Sequence, residues 1–364
     1  MNTIDLTVPI NKIPQFRFIG SKHSVLSNIL EVIKKKEIYG EVFFDVFSGS
    51  TSVSRYFKRS YSIRSNDMLY FSYVLQRALI VLNDYPNFRS IDLPLASLEP
   101  NERIINILHY LNNIKNEEGF IFSHYTPESL KIDGIERKYF STENGNRIDS
   151  IRTKIYEWFN DSEITEDEYF YLLASLLMAV QKVSNISGTY GAYNKFWDTR
   201  SAKPLRLNFI DIVSSEFRHQ AFNKNTFDLL NDVECDIAYI DPPYNERQYI
   251  ANYHILETIA RYDNPEITGK TGIRKYGTEE KSTFCSISSA SNSLAKLLRG
   301  LKTKYVVLSY NSDGLLPKDE IIGIFEESDL KKITVTAFPY RRFKSNSKSH
   351  SSELMEYIFT GEVK

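Results

Sequence analysis

Asp241, Pro242, Pro243 and Tyr244 form a D-P-P-Y tetrapeptide directly after the run Asp236-Ile237-Ala238-Tyr239-Ile240, where a buried strand is expected to end. Pro242 has no N–H, so the carbonyls around it are fixed in direction and stay out of a helical ladder. The Asp241 carboxylate beside such a carbonyl gives two adjacent acceptors, which match the two hydrogens of an exocyclic amine such as the N6 amine of adenine. Tyr244 adds a flat face. A base drawn out of its duplex needs one, because stacking is worth about 1–3 kcal/mol per base. A rigid turn plugged by an aromatic ring is the competing reading of the same four residues.

These residues need a sheet behind them. Glu41 to Phe47 (E-V-F-F-D-V-F) reads as a buried strand ending at Ser48-Gly49-Ser50-Thr51-Ser52, small residues suited to a tight strand-to-helix turn, with a helix from Val53. Tyr61 to Ser65 predicts a second strand ending at Asn66-Asp67, and Leu69 to Leu82 a helix. Two βα units in succession predict a parallel sheet with crossover helices. From about Asn83 to Phe209, helical stretches (Ile104 to Ile114, Ile151 to Phe159, Asp167 to Val183) alternate with polar loops. That change predicts a largely helical domain at 83–209, inserted in a main domain of 1–82 and 210–364. Its last part, Ser187 to Lys195, suits a loop that meets nucleic acid or an ordinary surface loop.

After D-P-P-Y, Arg247 to Tyr262 reads as one helix, and Asn264 to Ser289, rich in Gly, Lys and Ser, as a mobile or partner-ordered connection. Tyr305 to Ser309 predicts a strand and Lys318 to Glu327 a helix begun after Pro317. Ile333 to Phe338 and Leu354 to Phe359 have no helix between them, which predicts an antiparallel hairpin at the sheet edge.

At 364 residues and 42% hydrophobic content, the chain can bury one large α/β core or two smaller ones. Its formal charge of -1 exerts no overall pull on nucleic acid, so any such affinity must come from local patches. Three clusters qualify: Arg200, Lys203 and Arg206; Lys270, Arg274, Lys275 and Lys281; and Lys331, Lys332, Arg341, Arg342, Lys344 and Lys348. Each also suits a solvated face. Cys235 and Cys285, far apart, argue against a disulfide framework or a cysteine-built metal centre and suit a reducing compartment. The N-terminal stretch lacks a signal-peptide pattern, and the longest apolar run, Tyr169 to Val180, is too short for a bilayer. A soluble cytoplasmic protein without a membrane partner is expected.

In type and order, these motifs resemble the DNA N6-adenine methyltransferases of the Dam-like group over nearly the whole chain. The resemblance implies a Rossmann-like α/β sheet, mostly parallel with an antiparallel C-terminal hairpin, and a target-recognition role for the helical insertion. Phe18-Ile19-Gly20-Ser21-Lys22 is similar to the family's aromatic-x-G-[GS]-K motif, whose lysine is implied to pair with the carboxylate of S-adenosylmethionine. Phe47-Ser48-Gly49-Ser50-Thr51 resembles the F-x-G-x-G loop, with Asp45 at the acidic position before it and Thr51 where the second glycine is usual. Asp67 matches the residue that accepts the cofactor's ribose hydroxyls; a helix N-cap is its alternative. Asn225 stands where the family often places an aspartate toward the cofactor adenine.

Ser309-Tyr310-Asn311 resembles the family's S-Y-N strand end, implied as active-site support, and Tyr340-Arg341-Arg342-Phe343-Lys344 its basic hairpin near DNA. Arg247, Gln248, Tyr249, Asn252 and Tyr253 either wall a flipped-base pocket or pack a helix. The implied activity is methylation of the adenine N6 amine in duplex DNA by base flipping and direct transfer, without a metal, in a restriction-modification setting. Asp241, Pro242, Pro243 and Tyr244 are the implied catalytic set, with Asp241 also beside the cofactor. Arg200, Lys203, Lys270, Arg274, Lys275, Arg341, Arg342 and Lys344 are the expected DNA contacts.

Duplex DNA and a cognate restriction endonuclease are the implied partners, and a monomer or weak dimer is expected. Two alternatives stay open. Cytosine N4 is also an exocyclic amine, although serine rather than aspartate is the commoner opening of that motif. A non-catalytic DNA-binding module on the same fold is suggested by Thr51 and Asn225. The absence of G-x-G-x-x-G after the first strand argues against a nicotinamide-dependent dehydrogenase.

Overall fold

The computed structural model describes residues 6–91, 93, 99–115, 117–340 and 354–364. Arg341, Arg342 and Lys344, expected on a basic hairpin, lie outside the described residues. The strands are β1 (Val42–Asp45), β2 (Ser62–Asn66), β3 (Gln220–Phe222), β4 (Ile237–Ile240), β5 (Ile267–Thr268), β6 (Ile273–Arg274), β7 (Tyr305–Asn311), β8 (Leu330–Tyr340) and β9 (Leu354–Val363). β5 and β6 pair in a separate ribbon; the rest form one sheet in the order β3-β2-β1-β4-β7-β9-β8. The first five of that order run parallel, and β9 enters antiparallel between β7 and β8.

The sheet sits between two apolar layers, and the period of two along its strands feeds both. Phe43, Ile237 and Tyr239 join one core cluster, while Phe44, Ala238 and Ile240 join the other. β4 is buried at all four positions, as a central parallel strand covered on both faces must be. The first cluster continues without a break into Ile104, Ile151 and Leu172, so the helical segment after Asn83 shares its core with the sheet. Among the described residues no helix is long and apolar enough to cross a membrane.

Two features of this order position the site. The chain leaves β1 toward β2 but β4 toward β7, and a reversal of this kind opens a crevice at the carboxyl ends of the strands between which it occurs. Because β9 runs against its neighbours, its beginning lies at that same carboxyl edge, with Glu356 opposite Asn311 at the end of β7.

The expected hairpin is present and longer than anticipated, and the helix Lys318–Glu327 matches its expected bounds. The segment expected as one helix at 247–262 is two, Tyr249–Asn252 and His254–Arg261, broken at Tyr253, where φ is -122°. The stretch 264–289, expected as a connection alone, carries the β5–β6 ribbon and a 3-10 turn, Thr283–Cys285, before a helix begins at Ile287. The helix expected at Leu69 to Leu82 runs Tyr70–Gln76 and widens into a π-turn, Arg77–Val81.

Glu257, fully buried on His254–Arg261, accepts from the backbone N–H of Tyr70 (2.9 Å) and Phe71 (3.0 Å). It thereby satisfies two of the orphan donors that begin helix Tyr70–Gln76, just after the residues that line the crevice. Its charge is met by Arg261 at 2.6 Å. Glu257→Gln keeps the shape but turns part of the acceptor into a donor. We expect the free energy of unfolding in urea to fall by about 1–3 kcal/mol; an unchanged midpoint would contradict this capping role.

Candidate active site

The crevice lies over β1, β2 and β4, open to solvent on one side. All the residues expected from the sequence at a cofactor or catalytic site line it: Phe18, Lys22, Asp45, Phe47, Gly49, Asp67, Asn225 and Asp241 through Tyr244. They arrive on separate strand ends, with Asp45 closing β1, Asp67 following β2 and Asp241 following β4.

Lys22 is only 3% exposed, and its ammonium lies 3.0 Å from Asp241 Oδ1 and 2.9 Å from Glu356 Oε1. The resemblance gave this lysine a cofactor carboxylate as partner; in the structure two protein carboxylates hold it. Burial alone would favour its neutral form, but Asp241 and Glu356 outweigh that penalty and hold it charged, well above the usual lysine range. Burial pushes the Asp241 carboxyl up to about 7 against the pull of Lys22, and the Glu356 charge adds to the rise. Ser309 Oγ and Asn311 Nδ2 donate to Glu356 at 2.6 and 3.4 Å, which gives the S-Y-N strand end its supporting place.

Tyr244 packs edge-on to Tyr310 and places its ring 5.5 Å from the Lys22 ammonium. Gly20, at φ +75°, lets this ring approach: a Cβ there would stand 2.9 Å from Tyr244 Cε1. The F-I-G-S-K segment and D-P-P-Y are therefore packed against each other. Phe18 stacks on Tyr253 at 4.7 Å, and Ile19 N–H donates to the Tyr253 hydroxyl at 2.6 Å, so the break between the two short helices serves to dock this segment.

In the glycine loop, Gly49 at φ +45° donates its N–H to Asp67 Oδ2 at 2.8 Å, and Asp67 Oδ1 accepts from Leu69 N–H at 2.9 Å. Burial raises the Asp67 carboxyl to about 6 despite these bonds. Asp45 accepts from Ser54 Oγ through Oδ2 at 2.6 Å, while its buried Oδ1 has no hydrogen-bond partner among the described residues, and desolvation pushes its carboxyl to about 7. Thr51 takes φ +63°, a left-handed conformation that glycine adopts freely and that costs other L-residues about 1–2 kcal/mol. The non-glycine loop thus keeps the backbone path under strain. Asn225 caps a 3-10 turn through Oδ1, accepting from Phe227 N–H at 3.2 Å.

Sequence reasoning missed part of the wall. Phe227 and Phe284 stack nearly parallel (4° between planes), with Phe47 edge-on to Phe284 at 5.3 Å. Phe284, Ser282 and Glu280 come from the 264–289 stretch, strapped to the D-P-P-Y side by Gln248, whose amide exchanges two bonds with the Ser282 backbone at 2.8 and 3.1 Å. Isolated phenylalanines in a chain that has 23 carry no positional signal. Glu356 did carry one: a lone carboxylate within the apolar strand L-M-E-Y-I-F.

The expected DNA contacts divide. Arg274 is a correction: it is buried, gripping Asp263 with both terminal nitrogens (3.1 and 2.6 Å) and bonding Thr258 Oγ1, so its charge is spent inside the protein. Arg200 is paired with Asp198, and Lys275 with Glu266 at 2.9 Å. Lys203 and Lys270 are exposed. Between Lys195 and Arg200, Phe196 is 84% exposed and Trp197 42%. The loop bearing them is clipped at its base by buried Asn185, whose amide donates to Asn194 O and accepts from Asp198 N–H. A Tyr190 N–H bond to Asn252 O at 2.8 Å ties the same loop to the helix after D-P-P-Y.

The chain matches the family model for D12 class N6 adenine-specific DNA methyltransferases over residues 18–324. It is 45% identical to the Type II methyltransferase M.FokI of Planomicrobium okeanokoites over 348 residues, which cover 94% of this chain and 52% of that protein. It is 39% identical to the modification methylase LlaI of Lactococcus lactis subsp. lactis, covering 93% of this chain and 53% of that one. Identity to the Type II methyltransferase M.NlaIII of Neisseria lactamica is 37%, across 94% and 97%. The chain thus spans about half the length of the first two relatives and nearly all of the third.

A methyl group at Gly49 would fall 2.6 Å from Phe18 Cε1 and force a side chain into the left-handed region. Gly49→Ala is expected to cost about 1–3 kcal/mol of stability in urea unfolding. An unperturbed midpoint would show that the loop does not need this approach.

Proposed function

This chain belongs to the D12 class N6 adenine-specific DNA methyltransferases, and from that premise we propose that its cleft moves a methyl group from S-adenosylmethionine to the N6 amine of an adenine flipped out of duplex DNA. The observation that carries the proposal is the Asp241 carboxylate at the end of β4, held by Lys22 and followed by Pro242, Pro243 and Tyr244 in the same cleft as the glycine loop.

The residues present suit the cofactor. Asp45 Oδ1, buried without a hydrogen-bond partner among the described residues, is an acceptor for a positively charged or N–H-bearing group, and a cation beside it would draw its carboxyl back toward ionisation. Asp67 has acceptor capacity left for ribose hydroxyls beyond its two backbone bonds. Phe47, Phe227 and Phe284 offer apolar faces for an adenine ring, with Asn225 beside them. Bound there, S-adenosylmethionine supplies a methyl group on a sulfonium, ready for displacement by a nucleophile.

The chain's own work is done on the target base. An exocyclic amine is a weak nucleophile because its lone pair is conjugated with the ring. Asp241 and the Pro242 carbonyl accept its two hydrogens, which localises the lone pair and aims it. As the new N–C bond forms and the S–C bond breaks, one N6 proton must leave. A carboxyl held near 7 is able to take it. Tyr244 provides the stacking face and excludes water.

We read the helical part between 83 and 209 as the target-recognition region, with Lys203 and Lys270 on phosphates. Phe196 and Trp197 are apolar groups presented to the duplex beside the flipped base. By likeness to relatives named as Type II methyltransferases and a modification methylase, the setting is a restriction-modification system.

Asp241→Ala is expected to reduce methyl transfer to DNA by at least about a thousandfold while S-adenosylmethionine binding, read by calorimetry, stays within about threefold. Turnover retained in that variant would remove Asp241 from the mechanism. Phe196→Ala should lower kcat/KM for duplex DNA by about tenfold, the worth of one lost stacking contact, with cofactor affinity unchanged. Equal kcat/KM in the two proteins would place the loop away from DNA.

A further inference from the structure

A charged carboxylate persists in a protein interior only when it is paired, because burial otherwise favours its neutral form. Glu356 is 1% exposed, and its partners form a chain of contacts that ends at the reacting centre. Ser309 and Asn311 on β7 fix its two oxygens, its Oε1 lies 2.9 Å from Lys22 Nζ, and Lys22 Nζ lies 3.0 Å from Asp241 Oδ1. One cation thus serves two anions. The position of Glu356 follows from the topology, since only a strand inserted antiparallel brings its beginning to the edge where the parallel strands end.

We propose, resting on the adenine-amine reading of this cleft, that Glu356 is a positioning residue for Asp241: by taking a share of the Lys22 ammonium it keeps Asp241 open as an acceptor for the target amine instead of closed in an exclusive ion pair. Removing the Glu356 charge leaves Lys22 wholly to Asp241, whose carboxylate stays ionised but is tied up in an exclusive ion pair. Removing Lys22 leaves Asp241 facing the Glu356 carboxylate without the cation that lies between them.

The titratable groups facing Asp241 are Lys22 from the N-terminal segment, Asp45 at the end of β1, Tyr239 on β4, Tyr244 and Tyr249 after it, and Glu356 on β9. Asp241 must be ionised to accept, so activity falls on the acid side as pH drops through its pKa. Loss of the Glu356 charge lowers that pKa and loss of the Lys22 charge raises it. The two substitutions therefore shift the acid limb in opposite directions, which a purely structural role would not do.

The test compares kcat against pH for the wild-type chain, Glu356→Gln and Lys22→Met, together with KM for S-adenosylmethionine. For Glu356→Gln we expect kcat to fall about tenfold, the acid limb to move down by about one pH unit, and KM to stay within about twofold. For Lys22→Met the limb should move up. Limbs that stay in place, or that move together, overturn the proposal. Should Glu356→Gln fail to fold, Ser309→Ala removes the hydroxyl that aims the carboxylate; a several-fold loss in kcat at constant KM supports the proposal and an unchanged kcat overturns it. A wild-type chain that methylates no adenine would instead fail the functional reading itself.

Discussion

The Lys22 ammonium joins three stretches of chain that are remote in sequence: the segment before the first long helix, the turn after β4 and the start of β9. A cation buried to this degree has to be compensated, so these stretches can only come together as a set. Their meeting closes one end of the crevice, brings F-I-G-S-K under D-P-P-Y, and places Tyr244 over Gly20. The Phe18 and Tyr253 stack then anchors the same segment to the helices that follow. What would otherwise be a plain strand-end turn becomes a fixed acceptor facing a glycine loop.

The cleft holds its carboxyls in states that do not serve stability. Asp45 and Asp241 are both raised to about 7, above the value near 4 of an unfolded chain. For a carboxyl shifted in that direction, folding loses stability as pH rises past the unfolded value, and the loss is complete above about 7. Thr51 adds backbone strain in the same loop. Strain and desolvated carboxyls gathered at one strand edge are what a site that takes up a donor-rich or cationic ligand requires, and the extensive two-layer core is what sustains them.

Much of this was legible in the sequence because it depends on local rules. A strand buried on both faces reads as an apolar run, a tight turn reads as small residues, and D-P-P-Y marks its own strand end; the resemblance of the motifs to a known family then pointed to Phe18, Lys22, Asp45, Phe47, Gly49, Asp67 and Asn225, all of which line the cleft. The C-terminal hairpin followed from two strands without a helix between them. What was missed depends on long-range packing. Arg274 looked like part of a basic patch, but Asp263 and Thr258 claim it in the interior. The stretch 264–289 looked like a free connection because its composition is polar, yet Gln248 straps it to the cleft and Phe284 becomes wall. Tyr253 breaks a helix that its periodicity favours, since stacking on Phe18 and accepting from Ile19 fix it elsewhere. Glu356 was visible as an oddity, but only strand order shows which cation it meets.

A cleft that methylates the exocyclic amine of adenine is identified by its product. The purified chain is incubated with mixed-sequence duplex DNA and S-adenosylmethionine carrying a labelled methyl group, the DNA is digested to nucleosides, and the labelled nucleoside is identified by mass spectrometry. Methylation of adenine at N6 by this cleft predicts label in N6-methyldeoxyadenosine alone. Label in N4-methyldeoxycytidine, or none in DNA while the cofactor still binds, would contradict it.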